Sequence, residues 1–303
     1  MVNRFTFLST FLLALSLCFG SAKADKVDLS GLQKQLTQYV ATKDARIGVA
    51  VIINDNDTIQ VNGNREFPMM SVFKFPLSLA VAQWADSHGC SLDQSVTITP
   101  EFMREDTYSP MLKKYGKNIK LLSLKELIYW AIVHSDNNAC DILLNKIGGT
   151  AAPDSILHQL DVNESITIGA TEAEMDANHY LIYLNRSTPL AMASLFNRLD
   201  RKMCHQSASF QEIASMLEQC KTGTDRLPAP LDDNTIIGHK TGTGFISTEG
   251  RLTALNDCGY VKLPDGNRYA IAVFVADSAY NVDESSAIIA TISEMVYKMI
   301  TAR

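Results

Sequence analysis

Apolar positions along the chain follow two regimes, one helical and one strand-like. From Asp28 to Lys43 they recur at Leu29, Leu32, Leu36, Tyr39 and Val40, the three-to-four spacing of an amphipathic helix. Arg46–Ile53 is short and β-branched, which predicts a strand. Asn54-Asp55-Asn56-Asp57 predicts a turn, and Thr58–Val61 its hairpin partner. Ser71–Ser87 is apolar nearly all round, as in a buried central helix, and His88-Gly89 ends it. Helical spacing then dominates: Leu122–Val133, Asn138–Ile147 before Gly148-Gly149, Pro153–Leu160, Thr188–Leu199 and Ser209–Cys220. Glu172–Leu184 has little period and reads as a loop. Past Cys220 the strand regime returns at Thr235–His239, Gly250–Leu263 and Tyr269–Ala276, with Pro264-Asp265-Gly266-Asn267 as a hairpin turn. Glu284–Ile300 is a closing amphipathic helix. The sum is an α+β fold: an antiparallel sheet flanked by helices, interrupted by an all-α insert. The expected division is a sheet domain over 25–67 and 221–303, and a helical domain over 68–220.

Composition changes this picture little. Of 303 residues, 46% are hydrophobic and 20% charged, ordinary for a globular chain with ample core. The N-terminus adds more. Arg4, an apolar run from Phe5 to Gly20, and Ser21-Ala22-Lys23-Ala24 have the form of a cleavable leader cut after Ala24. That predicts a periplasmic or secreted protein. The run is short for a membrane span, and Leu17 before Cys18 is too bulky for lipoprotein processing. After cleavage no membrane association is expected, and the chain is read as a monomer. Removing Arg4 and Lys23 from 27 basic residues leaves 25 against 33 acidic ones, a net charge of −8, which argues against a nucleic-acid partner. Five cysteines remain: Cys90, Cys140, Cys204, Cys220 and Cys258. Export permits disulfides, but the odd count leaves at least one thiol free. They are read as structural. With no C-x-x-C or H-x-x-x-H spacing, neither metal nor cofactor is expected.

Candidate chemistry begins at Ser71-Val72-Phe73-Lys74. On a helix, positions three apart share a face about 5–6 Å apart at Cβ. A serine needs a neighbouring base, and burial would push a lysine's pKa down into that role. A helix N-terminus would also favour developing negative charge at Ser71. Alone the spacing is weak; a capped helix with a solvated lysine would look the same. Ser135-Asp136-Asn137 lies in a loop between two helices. Its hydroxyl could relay a proton and its amide could hold both a lysine and a substrate carbonyl. Lys-Thr-Gly-Thr occurs twice. The copy at Lys240-Thr241-Gly242-Thr243 follows a β-branched run, so it presents strand-edge N–H groups, and Gly242 would let a substrate approach. The copy at Lys221–Thr224 follows a helix and reads as a decoy in an exit loop.

In order and spacing, Ser71-x-x-Lys74, Ser135-Asp136-Asn137 and Lys240-Thr241-Gly242 resemble the motifs of class A serine β-lactamases over essentially the whole mature chain. Ala45–Ala50, Phe67-Pro68-Met69, Asn138–Asp141, His239 and Leu263–Gly266 look like the PER- and VEB-type extended-spectrum branch.

The resemblance implies the serine β-lactamase and penicillin-binding protein fold, and hydrolysis of penicillins and cephalosporins through a serine acyl-enzyme without a cofactor. It assigns attack to Ser71 and its activation to Lys74. The backbone N–H groups of Ser71 and Thr243 would form the oxyanion hole, and Ser135 would protonate the lactam nitrogen. Asn137 would bind the substrate's side-chain amide, Lys240, Thr241 and Thr243 its carboxylate, and Tyr108 would wall the ring. Arg226, 14 residues before Lys240, would supplement the carboxylate site, with Arg251 as a rival. The deacylating base would be Glu172, 37 residues past Ser135 and 13 before Asn185, which would close the loop. Glu174 is its rival. Two departures stand out. Ala170 and Asn185 replace the loop's usual ion pair. Asp176 occupies the water-holding position where an amide or imidazole is expected, and an ionised Asp only accepts hydrogen bonds. Two adjacent carboxylates would also raise one pKa. The alternatives are a D,D-peptidase or a β-lactam sensor that acylates and stalls.

Overall fold

Helix α1 (Leu29–Ala41) buries Leu32, Leu36 and Val40 on one stripe and leads into strands β1 (Arg46–Ile53) and β2 (Asp57–Val61). The structure, a computed structural model, describes residues 29–160, 162 and 165–302; the leader and its cut after Ala24 lie outside the described residues. Strand β3 (Phe67–Pro68) precedes a single 3₁₀ turn at Met70–Phe73, and α2 (Lys74–Ser87) runs on from it. The sequence pattern gives one helix from Ser71. The α-helical part begins at Lys74 because Pro76 has no N–H to bond the Val72 carbonyl. Its Lys74–Ala82 stretch is wholly buried.

Strand β4 (Ser95–Thr97), helix α3 (Pro110–Tyr115) and strand β5 (Leu121–Ser123) follow, then α4 (Leu124–Val133). The expected helix from Leu122 therefore starts two residues late. Ser123 and Glu126 form a reciprocal capping box that fixes the boundary, and Leu121–Ser123 pairs with β4 instead. Next come α5 (Asn137–Ile147), α6 (Ala152–His158) and β6 (Ile166–Thr167). The segment expected as a loop holds α7 (Glu172–Ala177), started by a second capping box between Thr171 and Glu174, and a 3₁₀ turn at His179–Leu184. Strand β7 (Arg186–Ser187) joins β3 and β6 in a small sheet. Helices α8 (Pro189–Arg201) and α9 (Ala208–Glu218) lead back to strands β8 (Ile236–Thr243), β9 (Leu252–Lys262) and β10 (Arg268–Ser278), and α10 (Val282–Thr301) closes the chain.

The main sheet is antiparallel throughout, in the order β2-β1-β10-β9-β8. Alternation along β10 divides two cores. Ala270, Ala272, Phe274 and Ala276 join the cluster shared with the helices of the insert, whereas Tyr269, Ile271, Val273 and Val275 join the one under α1 and α10. Both faces are covered, and the sheet ends at β2 on one side and at the longer β8 on the other. The helical insert packs beside that edge. Among the described residues, no helix is long and apolar enough to cross a membrane.

Candidate active site

A cavity of about 440 Å³ opens between β8 and the helices. Ser71 lies at its floor, on the 3₁₀ turn ahead of α2. That turn is fixed from two sides. Asn256 Nδ2 on β9 donates to the carbonyls of Pro68 (2.9 Å) and Met69 (3.0 Å). Gly242 lies so close that a Cβ there would sit 2.5 Å from the Met69 carbonyl oxygen. Its missing side chain thus admits the nucleophile's own backbone, not only a substrate. Met70 holds φ at +45°, a strained value for a side-chain-bearing residue, immediately before Ser71.

Lys74 is fully buried, and its Nζ meets four oxygens: Ser71 Oγ (3.0 Å), the Ser135 carbonyl (2.8 Å), Asn137 Oδ1 (2.6 Å) and Glu172 Oε1 (2.8 Å). Burial lowers its pKa, but the Glu172 carboxylate, reinforced by Asp136, outweighs that and holds it above the ordinary value. The expectation of a lysine pushed down by burial is therefore reversed, because burial came with a buried counter-charge.

The Ser135-Asp136-Asn137 loop is built by Asp136. As the buried N-cap of α5 it accepts from Ala139 N (2.9 Å), and its other oxygen takes Ser109 Oγ (2.8 Å) and Met111 N (2.7 Å). Asn137 N donates to the Tyr108 carbonyl (3.0 Å), so the same loop places Tyr108, half exposed, on the cavity wall. Ser135 adopts φ of +59° and receives Lys240 Nζ at Oγ (3.0 Å). Asn137 Nδ2 donates to Thr107 Oγ1 (2.9 Å).

On β8, Thr241 and Thr243 line the cavity, while Lys240 is fully buried behind them. Burial brings the Lys240 ammonium down to about 8; Cys220 pulls it up, and the Lys74 charge pushes it down. Arg226 is buried and reaches the same place: Nη2 donates to Thr243 Oγ1 (2.8 Å) and Nη1 to the carbonyls of Gly242 (3.2 Å) and Asn256 (3.0 Å). Its rival Arg251 is elsewhere, bound to Asp44 and the Asp277 carbonyl. The first Lys-Thr-Gly-Thr copy is an exit loop after α9, as expected, but it is not remote: Thr222 lines the cavity and touches Thr241 Oγ1.

The two candidate bases separate by geometry. Glu172 is buried, lines the cavity and pairs with Lys74. Glu174 is turned outward, its Oε2 accepting from Thr171 N (2.8 Å) and Oγ1 (3.0 Å) in the capping box. Asp141, which sequence reasoning missed as a support, cradles the start of α7: its oxygens accept from Glu172 N (2.8 Å) and Ala173 N (2.9 Å). Burial raises its carboxyl to about 6. Asn185 closes the neck of the loop, accepting from Gly169 N (2.8 Å) and Ala170 N (2.9 Å) and donating to the Ala170 carbonyl (2.9 Å). Its own carbonyl accepts from Met69 N (2.8 Å), which ties the loop to the nucleophile's turn.

Asp176 also lines the cavity, but its Oδ2 pairs with Arg104 Nη2 (3.2 Å), a residue absent from the expected set. Arg104, which also bonds Asp106, brings a positive charge to Asp176 on the cavity wall that Glu172 shares. Asn178, four residues past Glu174, caps the next 3₁₀ turn through Tyr180 N (3.1 Å). A partly exposed pair of this kind is worth roughly 0.2–1 kcal/mol. Arg104→Ala is expected to lower kcat by no more than about fivefold by that measure. Adding Asp176→Asn should restore most of the loss, and steady-state rates of the single and double variants check it. His179 and Phe245, with ring centres 4.2 Å apart and planes tilted by 34°, line the cavity and were also missed; both fall in stretches with no periodic signal. Among the described residues, no three His, Cys, Asp or Glu side chains gather to hold a metal.

A serine bonded to a buried lysine, which is paired in turn with a carboxylate beside an open cavity, defines an acyl-transferring serine hydrolase. The sequence matches the beta-lactamase enzyme family over residues 31–300. It is 38% identical over 295 residues to a beta-lactamase of Phocaeicola vulgatus, covering 96% of this chain and 92% of that one. To Beta-lactamase VEB-1 of Pseudomonas aeruginosa it is 34% identical over 292 residues, 94% of each. The crystal structure of TLA-3 extended-spectrum beta-lactamase superposes with a TM-score of 0.86 at 34% identity, over 90% of this chain and 99% of that one. The chain belongs to the beta-lactamase enzyme family, with the fold of its class A members.

Proposed function

We propose that Ser71 opens the lactam ring and that Glu172 serves both halves of the cycle. The supporting observation is Lys74 Nζ, 3.0 Å from Ser71 Oγ and 2.8 Å from Glu172 Oε1. With Lys74 held charged, Glu172 is the anionic acceptor for the Ser71 proton, through a water, and the ammonium stabilises the developing alkoxide. Backbone N–H groups of Ser71 and Thr243 take the oxyanion, where one donor is worth roughly 2.7–4 kcal/mol. Ring opening breaks the C–N bond, and Ser135, polarised by Lys240, passes to nitrogen the proton taken from Ser71, which returns Glu172 to its carboxylate. Glu172 then activates the water that hydrolyses the ester. Lys240, Thr241, Thr243 and Arg226 hold the substrate carboxylate, and Asn137 its side-chain amide. Penicillins and cephalosporins both fit this scheme, acting on a monomer exported to the periplasm or medium.

Steady turnover of nitrocefin tests the reading. Release of one equivalent of product and no more would favour the D,D-peptidase or sensor alternative, in which no base breaks the ester.

Lys240 also sets an alkaline limb. Its ammonium is lost as pH rises through about 8, so kcat/KM for an anionic β-lactam is expected to fall above that pH. Lys240→Arg should shift the limb to higher pH in a measured pH–rate profile, because arginine stays charged.

A further inference from the structure

The first Lys-Thr-Gly-Thr copy is a motif that the cycle above does not use, and it is built against the carboxylate subsite. Its segment, residues 221–227, is pinned at both ends. Lys221 N donates to the carbonyl of Val133 (3.0 Å), the last residue of α4, two before Ser135. Leu227 N donates to Asp257 Oδ2 (3.1 Å) on β9, and the Leu227 carbonyl accepts from Ser293 Oγ (2.8 Å) on α10. Between these anchors Arg226 N donates to the Gly223 carbonyl (3.0 Å), which closes a turn. Gly223 holds φ at +67°, and a Cβ there would fall 2.5 Å from Thr241 Cγ2 and 3.2 Å from Arg226 Cδ. Glycine thus lets the segment lie directly against β8.

Two side chains of the segment reach threonines on β8. Arg226 Nη2 donates to Thr243 Oγ1 (2.8 Å), and Thr222 Oγ1 bonds Thr241 Oγ1. A hydroxyl has one proton to give and two lone pairs to fill, whereas a carboxylate only accepts. A guanidinium cannot accept, so Arg226 fills a lone pair of Thr243 and leaves that hydroxyl's proton for the cavity. Position alone lets the Thr222–Thr241 bond run either way, and two neighbours decide it. On its other side Thr222 Oγ1 has Cys220 Sγ (3.4 Å); sulfur is a weak acceptor, so the Thr222 proton goes to the Thr241 oxygen. Thr241 lines the cavity, and among the described residues its hydroxyl has no second bond, so its own proton is left for an anion bound there.

We infer that Thr222 is a positioning residue: it donates to Thr241 Oγ1 and so presets the Thr241 hydroxyl to donate to the substrate carboxylate, as Arg226 presets that of Thr243. The inference rests on the carboxylate subsite proposed above. One segment, with its threonine and arginine four residues apart, thereby sets the donor direction of two strand threonines two residues apart.

Steady-state kinetics with nitrocefin, which carries the carboxylate, test it. Thr222→Val removes the hydroxyl at nearly constant shape. Its KM is expected to rise about two- to tenfold with kcat little changed, as for one hydrogen bond lost from binding. Thr222→Ala, which cannot crowd the turn, should repeat the rise, and Thr222→Ser, which keeps the donor, should retain the wild-type KM. In a Thr241→Val background Thr222→Val should add nothing, because the hydroxyl it directs is gone. An unmoved KM in both the valine and the alanine variants overturns the inference, as does a serine variant as impaired as the valine one. Additive losses with Thr241→Val also overturn it, since Thr222 would then meet the substrate by itself. In each of these outcomes the wild-type protein still turns over. A wild-type protein that releases one equivalent and stops fails the hydrolytic reading instead, and the two- to tenfold fall is then read in the second-order rate of that single burst.

Discussion

Glu172→Gln is expected to stall the protein as its acyl-enzyme. The glutamine keeps the side chain's shape and removes its charge, so the ester-hydrolysing water loses its base, and kcat falls by roughly 10²–10⁴. Acylation survives for a reason contained in the site. Glu172 is the largest of the charges that hold Lys74 above its ordinary value. Without it, burial dominates, Lys74 becomes a neutral amine, and that amine takes the Ser71 proton directly. Intact-mass spectrometry after mixing with a β-lactam should show the protein plus one ring-opened substrate, persisting for minutes. Full turnover by the variant would exclude Glu172 as the base and return the assignment to Glu174.

The second large effect is on stability as much as on rate. Lys74→Met leaves the Glu172 carboxylate buried with no cation, a change that costs about 3–5 kcal/mol when one partner of a buried pair is removed. Acylation should also fall at least a hundredfold, within the range of a lost acid–base group. The two losses separate in the double variant Lys74→Met with Glu172→Gln. It should recover most of the stability, measured by denaturant midpoint, and none of the turnover. If the double variant were as unstable as the single one, the 2.8 Å contact would be incidental to the fold.

Much of the site was legible because its chemistry-bearing residues fall in short, fixed spacings. The Arg46–Ile53 strand and the two hairpins were legible because a sheet covered on both faces makes continuous apolar runs. What escaped was set by partners far apart in sequence. Arg104 meets Asp176 across 72 residues, and nothing local marks either as a partner. The Lys74 direction was misread because burial was visible and the Glu172 counter-charge, 98 residues away, was not. Two boundaries could have been read better. Ser123-Leu124-Lys125-Glu126 and Thr171-Glu172-Ala173-Glu174 are both capping boxes, which start a helix whether or not the stretch after them is periodic. Ser109-Pro110 likewise announces α3, with Ser109 Oγ capping Leu112 N and proline at the first helical position. The two-residue strands β3, β6 and β7 are below what any pattern of alternation can reveal.

The Asn185 neck has a consequence for the protein's behaviour in brine. Its three bonds to Gly169 and Ala170 join neutral groups, so added electrolyte leaves them untouched. The Arg104–Asp176 contact on the far side of the same segment is ionic and partly wet, and at molar salt the screening length shrinks to about 3 Å. Concentrated salt is thus expected to weaken the distal brace while the neck stays closed and keeps its attachment to the nucleophile's turn.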